Sequence, residues 1–168
     1  MIDNSAAINP HSSKIGWLIH IIQHYNPKRY WRSREKVVDP CCKYPKFIKL
    51  LMLFYIKRCD AFNNATMGTN INCGAKFKTP PHLPHGLNGI IINYQASFGE
   101  NCCIFHQVTI AGKDGAAATI GDNVLIGTGA KIIGGVKIGN NVKIGANTVV
   151  TKDIPDNSTV VGASMRIL

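Results

Sequence analysis

Two histidines, His85 and His106, combine a reactive side chain with a spacing that could bring them together. Each is the third residue of a six-residue unit that begins with an aliphatic residue. Following the units through one full turn of three returns to the same face of the molecule. Continuing in the same way adds Thr128 and Ala146 to that face. If the units stack as strands, the four residues form an outward-facing column with a backbone spacing of about 4.8 Å. We call these four residues the histidine column.

A neutral histidine on such a surface can act as a general base. It can take the proton of a hydroxyl group while the hydroxyl oxygen attacks a thioester, and such a base contributes roughly 10²–10⁴-fold in rate. Backbone N–H groups in the turns of stacked units can stabilise the oxyanion that forms. Attack of a hydroxyl group on an acyl donor is one reaction that such a column could serve.

The six-residue units also predict the fold. Aliphatic residues begin six consecutive units, and the fifth residues of these units are mostly small or aliphatic. The units begin at Ile120, Ile126, Ile132, Ile138, Ile144 and Val150. Earlier units begin at Ile92, Phe98, Ile104 and Ile110, and weaker ones at Ala65, Ile71, Phe77 and Leu83. The phase slips near residues 86–91 and again in residues 113–119.

A period of six suits a short strand that buries its first and fifth residues and then turns a corner. Three such strands close a triangular coil of eighteen residues, and coils stack by hydrogen bonds between parallel strands. We therefore predict a mainly β protein, a parallel β-helix over residues 63–168. A set of unrelated β-hairpins would not keep six units in phase.

The N-terminal third, residues 1–62, differs in composition. The chain carries a formal net charge of +10, and this segment holds eleven Lys/Arg against four Asp/Glu. Residues 14–36 and 45–62 have apolar patterns that predict two helices. In one interpretation these helices cap the first coil and pack in a trimer. In the other they lie on an anionic membrane surface, supported by basic residues and by an aromatic group of side chains. That group comprises Trp17, Tyr30, Trp31 and Tyr55.

Several functional classes are disfavoured by the sequence. Six cysteines occur without CxxC or Cys/His zinc spacing, so we expect no metal site and free thiols in a reducing cytoplasm. The polar start predicts no signal peptide, and no apolar run reaches the roughly 20 residues of a membrane span. No recognised nucleic-acid-binding module is present, so we expect no nucleic-acid partner. The location predicted is cytoplasmic, with attachment at the inner membrane face under the membrane interpretation.

Four stretches resemble a known family. They are "INCGAKFKTPPHLPHGLNGIIIN", "ENCCIFHQVTIAG", "IGDNVLIGTGAKIIGGVKIGNNVKIGANTVVTKDIP" and "TVVGASMRIL". They are similar to hexapeptide-repeat acyltransferases, in the serine acetyltransferase-like branch that includes polysaccharide O-acetyltransferases. The resemblance implies left-handed coils, and it implies that acetyl-coenzyme A lies along the helix axis between neighbouring subunits. The "LPHGLNGIIIN" segment resembles the stretch that carries the catalytic histidine, which makes His85 the general base.

The resemblance also implies roles for other residues. The positions that match family contacts to the pantetheine arm of the coenzyme are Gly112, Thr128 and Ala146. Lys143 matches a lysine near the coenzyme phosphates, and Lys131 is a similar candidate. Either lysine could instead be a solvated surface charge.

Two further histidines are candidates for substrate contact. His106 matches a family glutamine position, and surface packing is its alternative role. For His82, a histidine in such a position is more often a solvent-exposed loop residue than a ligand.

The chain departs from true serine acetyltransferases at three places. The acidic partner of the catalytic histidine aligns with Asn70, whose amide can fix a tautomer but cannot balance an imidazolium charge. Pro84 replaces the aspartate before the histidine. The Arg-His pair that handles the amino-acid substrate is missing from the short loop at residues 113–119.

These departures direct the functional prediction. We predict a homotrimeric enzyme that transfers acetyl from acetyl-coenzyme A to a hydroxyl of a sugar in a surface polysaccharide or its precursor. Serine O-acetyltransferase is the alternative. A zinc hydro-lyase on this fold would need three histidines that include an HxxxxH pair, which the chain lacks. A non-catalytic scaffold is the remaining class.

Overall fold

The computed structural model describes residues 24–162, which form two helices and fourteen short strands. Helix α1 spans Pro27–Val38 and helix α2 spans Lys46–Phe62. The strands are β1 Thr69–Asn70, β2 Cys73–Gly74, β3 Lys76–Phe77, β4 Ile91–Ile92, β5 Ser97–Phe98, β6 Cys103–Ile104, β7 Thr109–Ala111, β8 Thr119–Ile120, β9 Leu125–Ile126, β10 Lys131–Ile133, β11 Lys137–Ile138, β12 Lys143–Ile144, β13 Val149–Val150 and β14 Thr159–Val160.

Twelve of these strands build three parallel sheets that form the sides of a triangular coil. Sheet 1 contains β4, β7, β10 and β13, sheet 2 contains β3, β5, β8 and β11, and sheet 3 contains β6, β9, β12 and β14. Successive strands along the chain enter different sheets. Ile132 pairs with Val150 and Ile126 pairs with Ile144, so one uninterrupted coil takes eighteen residues. The predicted parallel β-helix is confirmed.

The core of the coils is formed by the first and fifth residues of the units, as their spacing predicts. Completely or almost completely buried first residues include Ile92, Ile104, Ile110, Ile126, Ile132 and Ile144. Buried fifth residues include Ala96, Cys102, Val108, Val124, Ala130 and Val142. Each fully buried aliphatic side chain contributes about 1.5–3 kcal/mol relative to exposure. The coils are therefore stabilised along their whole length by a single apolar column inside the triangle.

Both predicted phase slips correspond to local insertions. Residues 84–89 form a turn that leads into β4. The second slip is a tight hairpin in which Lys113 and Ala116 exchange two backbone hydrogen bonds. Its two central residues, Asp114 and Gly115, have φ of +52° and +77°. This "DG" pair suits a two-residue hairpin turn, because both positions need positive φ.

One of the weaker predicted units is wrong. Ile71 does not begin a strand of the β-helix, because β1 and β2 pair with each other as an antiparallel hairpin. Ile71 and Asn72 form the turn of this hairpin, and Asn72 has a φ of +60°. Asparagine tolerates this left-handed conformation better than most residues. The hairpin therefore projects from the first coil instead of continuing it.

The first predicted helix is also corrected. Helix α1 begins at Pro27, and the side chain of Asn26 caps it by accepting a hydrogen bond of 3.0 Å from the backbone N–H of Arg29. Proline fits the first helical position, where no backbone donor is needed, but disrupts a helix interior. A single helix over residues 14–36 is therefore excluded. Residues 14–23, with Trp17, lie outside the described residues.

Helix α1 packs on the open end of the first coil. The Trp31 ring meets the edge of Phe77 at a centroid distance of 5.1 Å, and Phe77 stacks on Phe98 of the next coil at 4.4 Å. Tyr30 and Trp31 are buried, so neither ring faces a membrane. Two of the four aromatic side chains that supported the membrane interpretation, Tyr30 and Trp31, therefore do not support it.

The helices also hold the β1–β2 hairpin. The buried Arg34 side chain donates to Thr69 Oγ1 and to the carbonyl oxygen of Met67, both at 3.1 Å, and to the carbonyl oxygen of Ala75. Lys49 Nζ donates to Asn72 Oδ1 at 2.7 Å. Because these donors come from two separate helices, the helical region fixes the hairpin that carries Asn70.

A buried carboxyl group predicts a pH dependence of stability. Tyr30 Oη donates to Asp60 Oδ1 at 2.6 Å, while Asp60 Oδ2 is buried without a hydrogen-bond partner. Burial raises the pKa of Asp60 to about 6. The folded state therefore binds this proton more tightly than the unfolded chain, whose Asp pKa is about 4. The resulting stabilisation is complete below about pH 4 and is lost as pH rises through about 6.

Asp60→Asn should remove this pH dependence, because the amide still accepts from Tyr30 and cannot ionise. Relative to the wild type, the variant should gain on the order of 2 kcal/mol in free energy of unfolding between about pH 4 and about pH 7. Urea unfolding of both proteins at the two pH values measures the change. An equal difference between them at both values would contradict the assignment to Asp60.

Candidate active site

The histidine column predicted from spacing is present. His82 forms a parallel bridge with Cys103, and this places Leu83 in register with Ile104. Ile104 pairs with Ile126, which pairs in turn with Ile144. The residues two positions after these four aligned residues are His85, His106, Thr128 and Ala146. They follow one another along the corner between sheet 3 and sheet 1.

The two histidine rings lie against each other at this corner. Their centroids are 4.8 Å apart with an interplanar angle of 87°, and the His85 ring is also 5.9 Å from that of Phe105. His85 is exposed in the turn of residues 84–89, whereas His106 is half-buried in the turn between β6 and β7. An edge-to-face arrangement is favourable for such rings. His106 therefore limits the positions open to the His85 ring.

Among the residues that the structure describes, neither imidazole ring makes a hydrogen bond. Over residues 24–162, the structure gives the His85 ring no hydrogen-bond partner, and His106 Nδ1 is buried without one. Buried polar atoms are usually hydrogen-bonded. The two imidazoles thus depend on ring contacts within this part of the chain, and His85 stays available to a substrate hydroxyl.

The two column residues furthest from His85, Thr128 and Ala146, have small side chains. The coils that carry them lie close together. A Cβ atom on Gly127 would lie 2.7 Å from the backbone nitrogen of Ala146, so only glycine fits there. Because the two coils approach so closely, no side chain projects from position 127 beside the column. Thr128 is half-buried and Ala146 is exposed beside it. The corner above the histidines is therefore a shallow surface that an extended ligand arm can follow.

Asn70 and Gly112 do not lie in the histidine column. Both line a groove of about 470 Å³ on sheet 1, together with Asn93 and Tyr94. Gly112 follows strand β7, whereas His106 precedes it, so the strand separates the groove from the column. The structure shows no hydrogen bond between Asn70 and His85 among the described residues. The orienting role predicted for Asn70 thus has no contact within one chain that supports it.

The remaining predicted residues surround the corner. Lys131 is exposed on β10 of sheet 1 and Lys143 is exposed on β12 of sheet 3, so one lysine stands on each side of the column. Lys131 Nζ donates to the carbonyl oxygen of Gly129 at 3.2 Å. His82 is exposed on the face of sheet 3 next to Cys103, outside the column.

Sequence reasoning missed the apolar surface next to the column. Three exposed aliphatic side chains flank the corner, Ile91 and Val149 on sheet 1 and Leu125 on sheet 3. On sheet 2 the corresponding outward residues are polar, namely Lys76, Ser97, Thr119 and Lys137. This surface could have been recognised in the sequence, because each of these aliphatic residues directly precedes the first residue of a six-residue unit. Two sides of the triangle are thus suited to contact with another protein surface.

No metal centre is found in the part of the chain that the structure describes. No group of three or more His, Cys, Asp or Glu side chains there could hold a metal ion. The six cysteines are free.

Comparison with known proteins agrees with this architecture. Residues 117–152 match the family model "Bacterial transferase hexapeptide (six repeats)". A serine acetyltransferase of Staphylococcus aureus (strain Mu50) is 42% identical over 155 residues, which is 89% of this chain and 62% of that protein. This chain thus spans less than two thirds of the relative's length.

Solved structures of serine acetyltransferases have the same fold. The enzyme of Brucella abortus strain S19, in complex with coenzyme A, matches with a TM-score of 0.62 and 26% identity, over 84% of this chain and 53% of that chain. The Neisseria gonorrhoeae enzyme, in complex with serine, matches with a TM-score of 0.57 and 26% identity, over 94% of this chain and 76% of that chain. With the six-residue units and the three stacked sheets, these similarities show that the chain is similar in sequence and fold to the serine acetyltransferase branch of the hexapeptide-repeat acyltransferases.

Proposed function

We propose that this protein transfers an acetyl group from acetyl-coenzyme A to a hydroxyl group, with His85 as general base. The observation that carries the proposal is the position of the exposed His85 ring. It lies at one end of the histidine column, and the residues at the other end, Thr128 and Ala146, are small. A related enzyme from Brucella abortus was solved with coenzyme A, which supports the choice of thioester donor.

The reaction needs one proton acceptor and one place for the thioester. His85 takes the proton of the acceptor hydroxyl while its oxygen attacks the thioester carbonyl carbon. The tetrahedral intermediate collapses, the C–S bond breaks, and the proton passes from His85 to the departing sulfur. The products are the acetyl ester and free coenzyme A. Lys131 and Lys143 provide positive charge on either side of the column for the coenzyme phosphates.

Serine is the acceptor that the comparisons favour. The relatives are named serine acetyltransferases, and the Neisseria gonorrhoeae enzyme was solved with serine. This supports the alternative of the sequence analysis better than its main prediction of a sugar. We therefore propose serine as the first acceptor to test.

A sugar hydroxyl remains the second candidate because of two features of this chain. The Lys113–Ala116 hairpin has only two central residues, and Pro84 precedes His85. The groups that the family resemblance assigns to the amino-acid substrate therefore have no counterpart at these positions. An acceptor without an ammonium and a carboxylate group would not need them.

A thiol-release assay with the purified chain tests the proposal. Acetyl-coenzyme A is supplied with serine or with each member of a panel of monosaccharides and nucleotide sugars, and free thiol is recorded. We expect release that depends on one acceptor class. Serine-dependent release supports the first candidate, and sugar-dependent release supports the second. Release with neither class would count against O-acetyl transfer to these acceptors.

We further propose that the protein is a homotrimer with the site between protomers. The histidine column is an open corner, so a second wall is needed to exclude water from the thioester. The exposed aliphatic residues Ile91, Leu125 and Val149 lie on both sides of this corner and suit a symmetric contact. Sedimentation should give the mass of three chains. A monomer at assay concentration would argue against both the trimer and the site.

A further inference from the structure

Helix α2 exposes a continuous apolar face. Its residues Phe47, Leu50, Leu51 and Phe54 are 61%, 48%, 64% and 70% exposed. Their spacing of three, four and seven positions puts them on one side of a helix. We call these four residues the α2 stripe. Large apolar side chains that are exposed as a contiguous group mark an interaction surface more often than scattered ones do.

The exposure of the stripe does not result from poor packing of α2 against the rest of the protein. The other side of α2 is buried against α1 and the first coil through Ile56, Cys59 and Asp60. Lys49 is also buried and bonded to the carbonyl oxygen of Asp39 at 2.8 Å. Helix α2 is therefore firmly seated, with the stripe directed away from the protein core.

The exposed charges on α2 itself are all positive. Lys46, Lys57 and Arg58 are exposed on α2, and Lys43 is exposed just before it. The one acidic residue of α2, Asp60, is buried. An apolar face bordered by cations is the pattern of a helix that lies in the plane of an anionic membrane surface.

We propose that α2 docks on an anionic lipid surface, with the stripe inserted at the boundary between head groups and acyl chains. The helix of 17 residues would lie flat over about 25 Å, with its cations near the lipid phosphates. None of the helices in residues 24–162 is long and apolar enough to cross a membrane. This inference concerns a different face from the histidine column and does not rest on acetyl transfer.

A second copy of α2 is a poorer occupant of the stripe. Antiparallel contact would bring Lys46 of one copy towards Arg58 of the other, and parallel contact would bring identical cations together. No exposed acidic side chain on α2 would balance either arrangement. A lipid surface with negative head groups has the complementary charge.

Vesicle co-sedimentation of the full-length chain tests the proposal. The vesicles contain either phosphatidylcholine alone or phosphatidylcholine with phosphatidylglycerol, at low salt and at high salt. We expect at least about tenfold more protein bound to the anionic vesicles at low salt, and release at high salt as charges are screened. The double variant Leu51→Asp/Phe54→Asp should lose about tenfold or more of this binding.

The matched control is Val161→Asp, since Val161 is 73% exposed but lies at the far end of the β-helix. It should bind like the wild type, and circular dichroism should show all three proteins equally folded. Full binding by the double variant would overturn the proposal, because another face would then carry the contact. Absence of binding to anionic vesicles by the wild type would also overturn it. So would a fall in oligomer mass of the double variant without lipid, because another copy would then occupy the stripe.

Discussion

His85→Ala should lower kcat by at least about 100-fold, because the acceptor hydroxyl loses the group that takes its proton. The KM for acetyl-coenzyme A should change little, since the ring contacts Phe105 and His106 and not the upper part of the column. The His85 side chain is exposed, so its removal should leave the fold intact. Steady-state kinetics with both substrates varied separates the two constants.

Asn88→Ala is the matched control for this variant. Asn88 lies exposed in the same turn, and the hydrogen bond found for it within residues 24–162 runs from the backbone N–H of Gln107 to its carbonyl oxygen. The control should retain nearly normal turnover. If His85→Ala were as active as the control, the role of base would pass to His106, whose ring lies beside it.

Ala146→Trp should raise the KM for acetyl-coenzyme A by about tenfold or more, because the indole would occupy the shallow corner above the histidines. Ala146 points outward, and the core beneath it is formed by Ile144 and Thr148. The substitution therefore adds bulk outside the coil without overfilling its interior. Calorimetric titration with coenzyme A compares the affinity of the variant and of the wild type for the coenzyme without catalytic turnover.

Lys137→Trp is the control for added bulk, since Lys137 is exposed on sheet 2, away from the corner. It should bind the coenzyme normally. If Ala146→Trp kept its quaternary structure and its coenzyme affinity, the coenzyme would not run along the column.

The coils and the column were predictable because burial alone determines them. An aliphatic residue at every sixth position can be buried on all coils only if each unit supplies one strand of a triangular turn. Once that period is known, the residues at equal positions of every third unit align. His106, Thr128 and Ala146 follow from this register, and strand pairing confirms it.

Other features depend on contacts that no period reveals. The β1–β2 hairpin replaces a strand because Arg34 and Lys49, which lie far away in the sequence, bind it from two helices. The Tyr30–Asp60 pair is likewise a long-range contact. The position of Asn70 on that hairpin, away from His85, could not be deduced from alignment with a family pattern. The exposed α2 stripe appears only when the buried side of the helix is known.

A crystal structure of the full-length protein with bound coenzyme A tests the central claim most directly. The account predicts the coenzyme between two protomers, with its sulfur beside His85 and its pantetheine arm passing Thr128 and Ala146. Coenzyme bound on sheet 2, or in the groove that Asn70 and Gly112 line with no contact to the histidine column, would contradict it.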